Sequence, residues 1–143
     1  MVKVWRIGQH EVRWEDATGI IVLVHVGTMD ADEIRAISDA MDECVGLGPP
    51  GDPSLLLVDS RRATGLNVSG REVAASKAKV ARADTLVAVF GAPFTYRVVL
   101  NLVFRGVALV TDKLRATAVS EEAEARAWLT NGRLAYLASR ETR

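Results

Sequence analysis

Ile20-Ile21-Val22-Leu23-Val24-His25-Val26 is an almost unbroken run of β-branched and aliphatic side chains, closed by Gly27. A strand with one wet face alternates polar and apolar residues. A run this continuous needs cover on both faces, as in the interior of a parallel sheet. Leu55-Leu56-Leu57-Val58, ended at Asp59, and Thr85-Leu86-Val87-Ala88-Val89-Phe90, ended by Gly91-Ala92-Pro93, have the same character. Three such strands set far apart in sequence require crossover connections between them.

The intervening segments supply those crossovers. After Asp30, the residues Ile34, Ile37, Met41, Cys44 and Val45 share one helical face, and the acidic Asp32, Glu33, Asp39, Asp42 and Glu43 lie largely off it. Gly46, Gly48 and Pro49-Pro50-Gly51-Asp52-Pro53 stop that helix. From Arg71 to Ala83, small residues beside Val73 and Val80 predict a second helix with a basic face of Lys77, Lys79 and Arg82, set beside the acidic one. Tyr96 to Val107 reads as helix or strand, its valines favouring extended structure and its length a helix, and a helix is the expectation. Leu114 to Val119 reads as a strand. Ser120-Glu121-Glu122 then opens a helix through Trp128-Leu129, with Trp128 as its core anchor and Arg133 to Arg140 as a frayed last turn. Upstream, Val2 to Ile7 and His10 to Trp14 alternate on either side of Gly8-Gln9, which predicts a hairpin. The fold class is α/β: a mixed, mostly parallel sheet with crossover helices and an N-terminal antiparallel hairpin, in a single domain over residues 1–143.

Composition narrows the function classes. With 18 basic and 18 acidic side chains the chain has no net charge, which leaves no electrostatic footprint for non-specific nucleic-acid binding. The charges are unevenly placed, the first half being acidic and the second basic. No apolar run reaches the length of a membrane span. Cys44 is the single cysteine, so no intrachain disulfide forms and a reducing, cytoplasmic setting is expected.

The residue types needed for catalysis or metal binding are scattered. His10, His25 and Cys44 fall in separate elements without ligand spacing, so no metal and no cofactor is expected. Cys44 belongs to an apolar stripe and reads as packing, His25 as a core or sheet-end histidine, and His10 as a solvated residue near the hairpin. Neither a Gly-x-Ser-x-Gly elbow nor a phosphate-binding lysine loop occurs, and Gly46-Leu47-Gly48 ends a helix instead of opening one. An enzyme would require perturbed titratable groups converging near His10 or His25. The stretch from Asp59 to Gly70 stands apart, because its small and polar residues predict a loop at the C-terminal end of a buried strand, where α/β sheets present ligands and partners. Asp59 can cap turn amides, Arg61 and Arg62 can grip a carboxylate or phosphate, and Thr64 and Ser69 offer hydroxyls.

From about Gly19 to Leu129 the sequence resembles the STAS-type, anti-sigma-factor-antagonist superfamily and its SpoIIAA-like relatives. Gly19-Ile20-Ile21-Val22-Leu23 entering a strand, Leu55-Leu56-Leu57-Val58-Asp59 leaving one, and Ser120-Glu121-Glu122-Ala123-Glu124-Ala125-Arg126-Ala127-Trp128-Leu129 carry the resemblance. It implies a non-enzymatic regulatory module whose partner is a protein of the kinase or anti-sigma type, bound through Asp59 to Gly70 and the following helix. In that family a regulatory serine sits in an Asp-Ser-Ser-Gly-like segment. Here the matching stretch is Asn67-Val68-Ser69-Gly70, so Asn67 replaces the acid, Val68 takes the usual phosphoserine place and Ser69 keeps the second hydroxyl. The same architecture resembles small lipid-transfer domains, and a lipid or other small ligand would require an apolar cavity beneath the Tyr96 to Val107 helix.

Overall fold

The computed structural model describes residues 3–66, 68–79 and 84–141. Its elements run β1 (Lys3–Ile7), β2 (His10–Glu15), β3 (Ile20–Met29), α1 (Ala31–Val45), β4 (Ser54–Leu66), α2 (Val68–Lys79), β5 (Thr85–Phe90), α3 (Phe94–Ala108), β6 (Leu114–Val119) and α4 (Glu122–Glu141). The strands form one six-stranded sheet in chain order. Pairing is antiparallel from β1 to β3 and parallel from β3 to β6. The mixed sheet, its hairpin and the helix over Tyr96 to Val107 are therefore as the sequence predicts.

Pleating sends successive side chains to opposite faces, and the buried strands use both. Ile21, Leu23, Leu56 and Val58 pack with Ile34, Ile37 and Cys44 of α1 and with Val73 and Ala74 of α2. Leu56 and Val58 also pack against a cluster of Val87, Val89 and Ala118, which Leu100 and Phe104 of α3 cover. Ile20, Val22, Leu55 and Leu57 face the other way, onto Ala125 and Leu129 of α4. Parallel strands that follow one another in one direction, joined by crossovers of one hand, place all three crossover helices on a single face. Among the described residues, α4 alone covers the other. This winding has no point at which strand order reverses, the place where an open α/β sheet parts into a ligand crevice.

Two expectations about α4 are corrected. Its buried anchor is Leu129, and Trp128 packs at the margin of the same cluster, because the inward face follows Ala125 and Leu129 and not Ala123 and Ala127. Nor does the helix fray at Arg133. It continues to Glu141, since Arg133, Tyr136 and Arg140 each find a partner at the N-terminal end of the sheet: Arg133 donates to Asp52 at 2.5 Å, Tyr136 to Asp84 at 2.6 Å, and Arg140 to the carbonyl of Gly51. Gly132 lets this half of α4 lie against β5, where a Cβ would come within 2.9 Å of Leu86 Cδ1. At its other end Arg126 grips Glu15 of β2 with two hydrogen bonds of 2.9 and 3.0 Å, and these hold the Glu15 carboxyl below its ordinary range.

At the far edge of the sheet, α3 lies beside β6. The Asn101 side-chain amide donates to the Ala118 carbonyl at 3.2 Å and accepts from the Ala118 N–H at 3.0 Å, filling the positions a neighbouring strand would take. The expected pairing of acidic and basic helix faces depends on Lys77, Lys79 and Arg82, which lie outside the described residues and side chains.

Removing the Leu129 side chain leaves a cavity between α4 and the sheet, so Leu129→Ala is expected to cost about 2–5 kcal/mol in urea unfolding. Trp128→Ala, acting at the edge of the cluster, should cost less. The reverse order would move the anchor of α4 to Trp128.

Candidate functional site

The stretch from Asp59 onward is not a loop. β4 continues to Leu66 and β3 runs on past Gly27 to Met29, and the two stay paired through Arg62 opposite Val26, Gly65 opposite Thr28 and Leu66 opposite Met29. Between Val24 and Val26, β4 takes three steps to two on β3, and a second extra residue falls between Gly27 and Thr28. These are β-bulges, and Gly27, which reads as a strand end, and Gly65, within the expected loop, accompany them at φ +69° and φ +132°, backbone angles that side chains disfavour. Pairing of β4 with β5 stops at Asp59 opposite Phe90. Beyond it, β4 is held by β3 alone, and α2 begins directly at Val68.

The five residues singled out from the sequence fall along this extension. Asp59 and Arg61 are brought together: the carboxylate accepts the Arg61 backbone N–H at 3.1 Å, its Nε at 3.0 Å and its Nη2 at 2.7 Å. Burial raises the Asp59 pKa, but the three hydrogen bonds outweigh it and the carboxyl sits below its ordinary range. The Arg61 guanidinium lies 5.4 Å from the centre of the Phe90 ring. Gly91, at φ +81°, leaves the space that the Arg61 stem crosses. Arg62 is exposed opposite Val26, and Thr64 Oγ1 lies 3.0 Å from Thr28 Oγ1. Ser69 is exposed in the first turn of α2, while Ser60 beneath the extension is buried. Asn67 lies outside the described residues.

A second group of polar residues escaped the sequence reading. His10 is not solvated; it is 2% exposed, and the alternation His10-x-Val12-x-Trp14, all three on the buried face of β2, is the signal that marks it. Its Nδ1 accepts the Val26 N–H at 3.1 Å and its Nε2 lies 3.0 Å from Glu33 Oε2. Both contacts are met by a neutral ring with the proton on Nε2. Glu33 is also the third residue of the capping box of α1, accepting from the Asp30 N–H at 3.2 Å while the Asp30 carboxylate accepts from the Glu33 N–H at 2.8 Å. Gly8, at φ +60°, makes the room: a Cβ there would stand 2.7 Å from Glu33 Oε2. One carboxylate thus caps a helix and clamps the hairpin to it. His25 completes the group, its ring 5.4 Å from that of His10, 5% exposed, with an unpartnered Nε2. Titratable groups do converge here, yet both rings are shut away from solvent. Cys44 lies in the core, with its thiol pushed up to about 11 by burial.

An open cleft of about 980 Å³ lies at the opposite, N-terminal end of the parallel strands, bordered by Trp14, Asp52, Asp84, Arg133, Tyr136 and Arg140. It does not lie beneath α3. Among the described residues, no group of three His, Cys, Asp or Glu side chains is arranged to hold a metal ion, and no helix is long and apolar enough to cross a membrane.

Two outcomes test the histidine group. Glu33→Ala removes both the cap and the His10 acceptor and is expected to destabilise by roughly 1–3 kcal/mol, with Glu33→Gln retaining part of the loss. His25 is expected to contribute to the acid response. Burial, then the neighbouring His10, hold its pKa below the ordinary value of 6.5, against the opposing backbone carbonyls of Gly65 and Gly27 and the charge of Glu33. Below that pH the unfolded chain binds a proton that the folded one resists, so the stability present above about 6.5 is lost as pH falls toward the folded pKa. Urea midpoints should drop between pH 7 and pH 5, and His25→Gln should flatten that slope. Glu15 and Asp59 act lower, below 4.5 and 3.8. An unchanged slope in the variant would assign the acid response to other groups.

No protein-family model and no curated protein matches the sequence. Solved structures do. An uncharacterized protein of the DUF3478 family with a SpoIIAA-like fold, from Shewanella loihica, superposes over 90% of this chain and 92% of its own with a TM-score of 0.55 at 12% identity. The anti-sigma factor antagonist SpoIIAA in its unphosphorylated form covers 92% of this chain and 99% of its own, with a TM-score of 0.48 at 11% identity. The resemblance carried by the three strand and helix motifs is thus a likeness of architecture, and the chain has a SpoIIAA-like fold.

Proposed function

We propose that this chain is a regulatory protein-interaction module that receives its partner on the β3–β4 extension and the first turn of α2. The observation that carries the reading is a ledge of exposed Arg61, Arg62 and Thr64 standing on paired backbone beyond the end of β5, with exposed Ser69 in the first turn of α2 that follows. Asp59 fixes Arg61 in place, so the guanidinium is presented with little freedom left to lose on binding. Arg62 and the hydroxyls of Thr64 and Ser69 complete a polar surface suited to a carboxylate- or phosphate-bearing partner. The sequence resemblance to anti-sigma-factor antagonists supplies the partner class, a kinase or anti-sigma type protein in the cytoplasm, and the SpoIIAA-like fold is consistent with it. The reading assigns no catalytic residue and no cofactor, and it treats residues 1–143 as a single domain.

Capture from the native cell by immobilised protein, with the bound proteins identified by mass spectrometry, tests this surface. Ser69→Glu and Arg62→Ala should each lower recovery of the partner several-fold with the unfolding midpoint nearly unchanged, because both side chains are exposed. His10 is unsuitable as a neutral control, being part of the core; exposed Lys113, away from the ledge in sequence and sheet order, serves instead. Full recovery by both variants would remove the ledge from the function.

A further inference from the structure

The crossover helix α3 turns its apolar side chains outward. Phe94, Val98, Val99, Leu102 and Val103, followed just beyond the helix by Leu109 and Val110, are each between 44% and 89% exposed. Together they present roughly 700 Å² of largely apolar surface, more than a monomer ordinarily leaves in water and close to the roughly 800 Å² that each partner gives to a standard interface. Charge is nearly absent from this face: no carboxylate occurs from Phe94 to Thr111, and Arg97 is half-buried with its guanidinium 5.5 Å from the Phe94 ring. Arg105 is the single exposed charge of the helix.

We infer that this face pairs with its counterpart on a second copy of the chain, in an antiparallel two-fold contact centred on Leu102. The sequence is self-complementary about that residue. Equal offsets place Phe94 opposite Val110 of the copy and Val98 opposite Gly106, which has open space where a Cβ would be and so offers a hole for a valine knob. Arg105 falls opposite Val99 and not opposite another arginine. Three of the five side chains on the helix itself are valines, which keep essentially one rotamer there and lose little entropy when packed. That composition favours a rigid helix partner over a lipid surface, for which interfacial helices bring bulky anchors and several cations on the polar face. The contact uses none of Arg61, Arg62, Thr64 or Ser69, so it and the function proposed above are tested by different variants.

The full chain at micromolar concentration, run by sedimentation equilibrium, should give a mass near 31 kDa, twice the 15.5 kDa of one chain. The double variant Leu102→Glu/Val103→Glu should sediment as one chain while keeping its far-ultraviolet spectrum and cooperative unfolding. As a check that does not rely on a disruptive substitution, Leu102→Cys should form a crosslinked dimer under mild oxidation, whereas Val4→Cys at the other edge of the sheet should not. A wild-type mass of 15.5 kDa throughout, with or without retention on anionic phospholipid vesicles, would overturn the inference, as would a dimer that survives the double variant and leaves Leu102→Cys uncrosslinked.

Discussion

The parallel pairing of β3 with β4 is the constraint on which the rest of the molecule hangs. Ile20 to Leu23 lie beside Leu55 to Val58 in continuous register, and neither strand has a face it can leave in water. Each face therefore demands a helix, α1 on one side and α4 on the other, and six of these eight side chains are buried, with Leu56 and Val58 partly so. The same pair, by running past the end of β5, builds the ledge. Scaffold and surface are one continuous element, so the ledge inherits its rigidity from the core instead of from contacts of its own.

The antiparallel end is attached by different physics. β1 and β2 are joined to the remainder through charge and hydrogen bonding as much as through apolar contact: Glu33 holds His10 from the α1 side and Arg126 holds Glu15 from the α4 side. Both ties use partly buried groups, where a hydrogen bond to a charge is stronger than at the surface and where losing one partner strands the other. The hairpin is accordingly pinned from both layers, although its own strands are short.

What could be read from the sequence follows from how many constraints act on each residue. Runs such as Ile20 to Val26 and Thr85 to Phe90 admit one interpretation, since only a doubly covered strand accommodates them, and the order of strands and helices came out accordingly. Glycine was ambiguous. Gly27 can end a strand or absorb a bulge, and which of these happens depends on whether a partner strand continues alongside, which β4 does; the Asp59 to Gly70 stretch was misjudged for the same reason. Arg133, Tyr136 and Arg140 read as a frayed last turn because their partners, Asp52, Asp84 and Gly51, are distant in the chain. His10 was legible in hindsight from period-two alternation. The pairing of His10 with Glu33 was not, as it depends on how α1 crosses the hairpin. The outward face of α3 was read correctly as helix but not as exposed, because periodicity marks a helix without saying which neighbours cover it.

The strand order carries a consequence for how the chain acquires its shape. In β1-β2-β3-β4-β5-β6 every strand is laid against the one made just before it, so no strand is ever inserted between two that are already paired. A chain leaving the ribosome can add strands at one growing edge, each with its crossover helix already synthesised, and the long loops that slow most parallel sheets are closed one at a time. Only the far face must wait. Its cover among the described elements, α4, emerges after all six strands, and until it docks the nascent sheet exposes Ile20, Val22, Leu55, Leu57 and Leu86. Docking of α4 is thus the step that buries this apolar face, and truncation within its twenty residues should be felt in yield before it is felt in architecture.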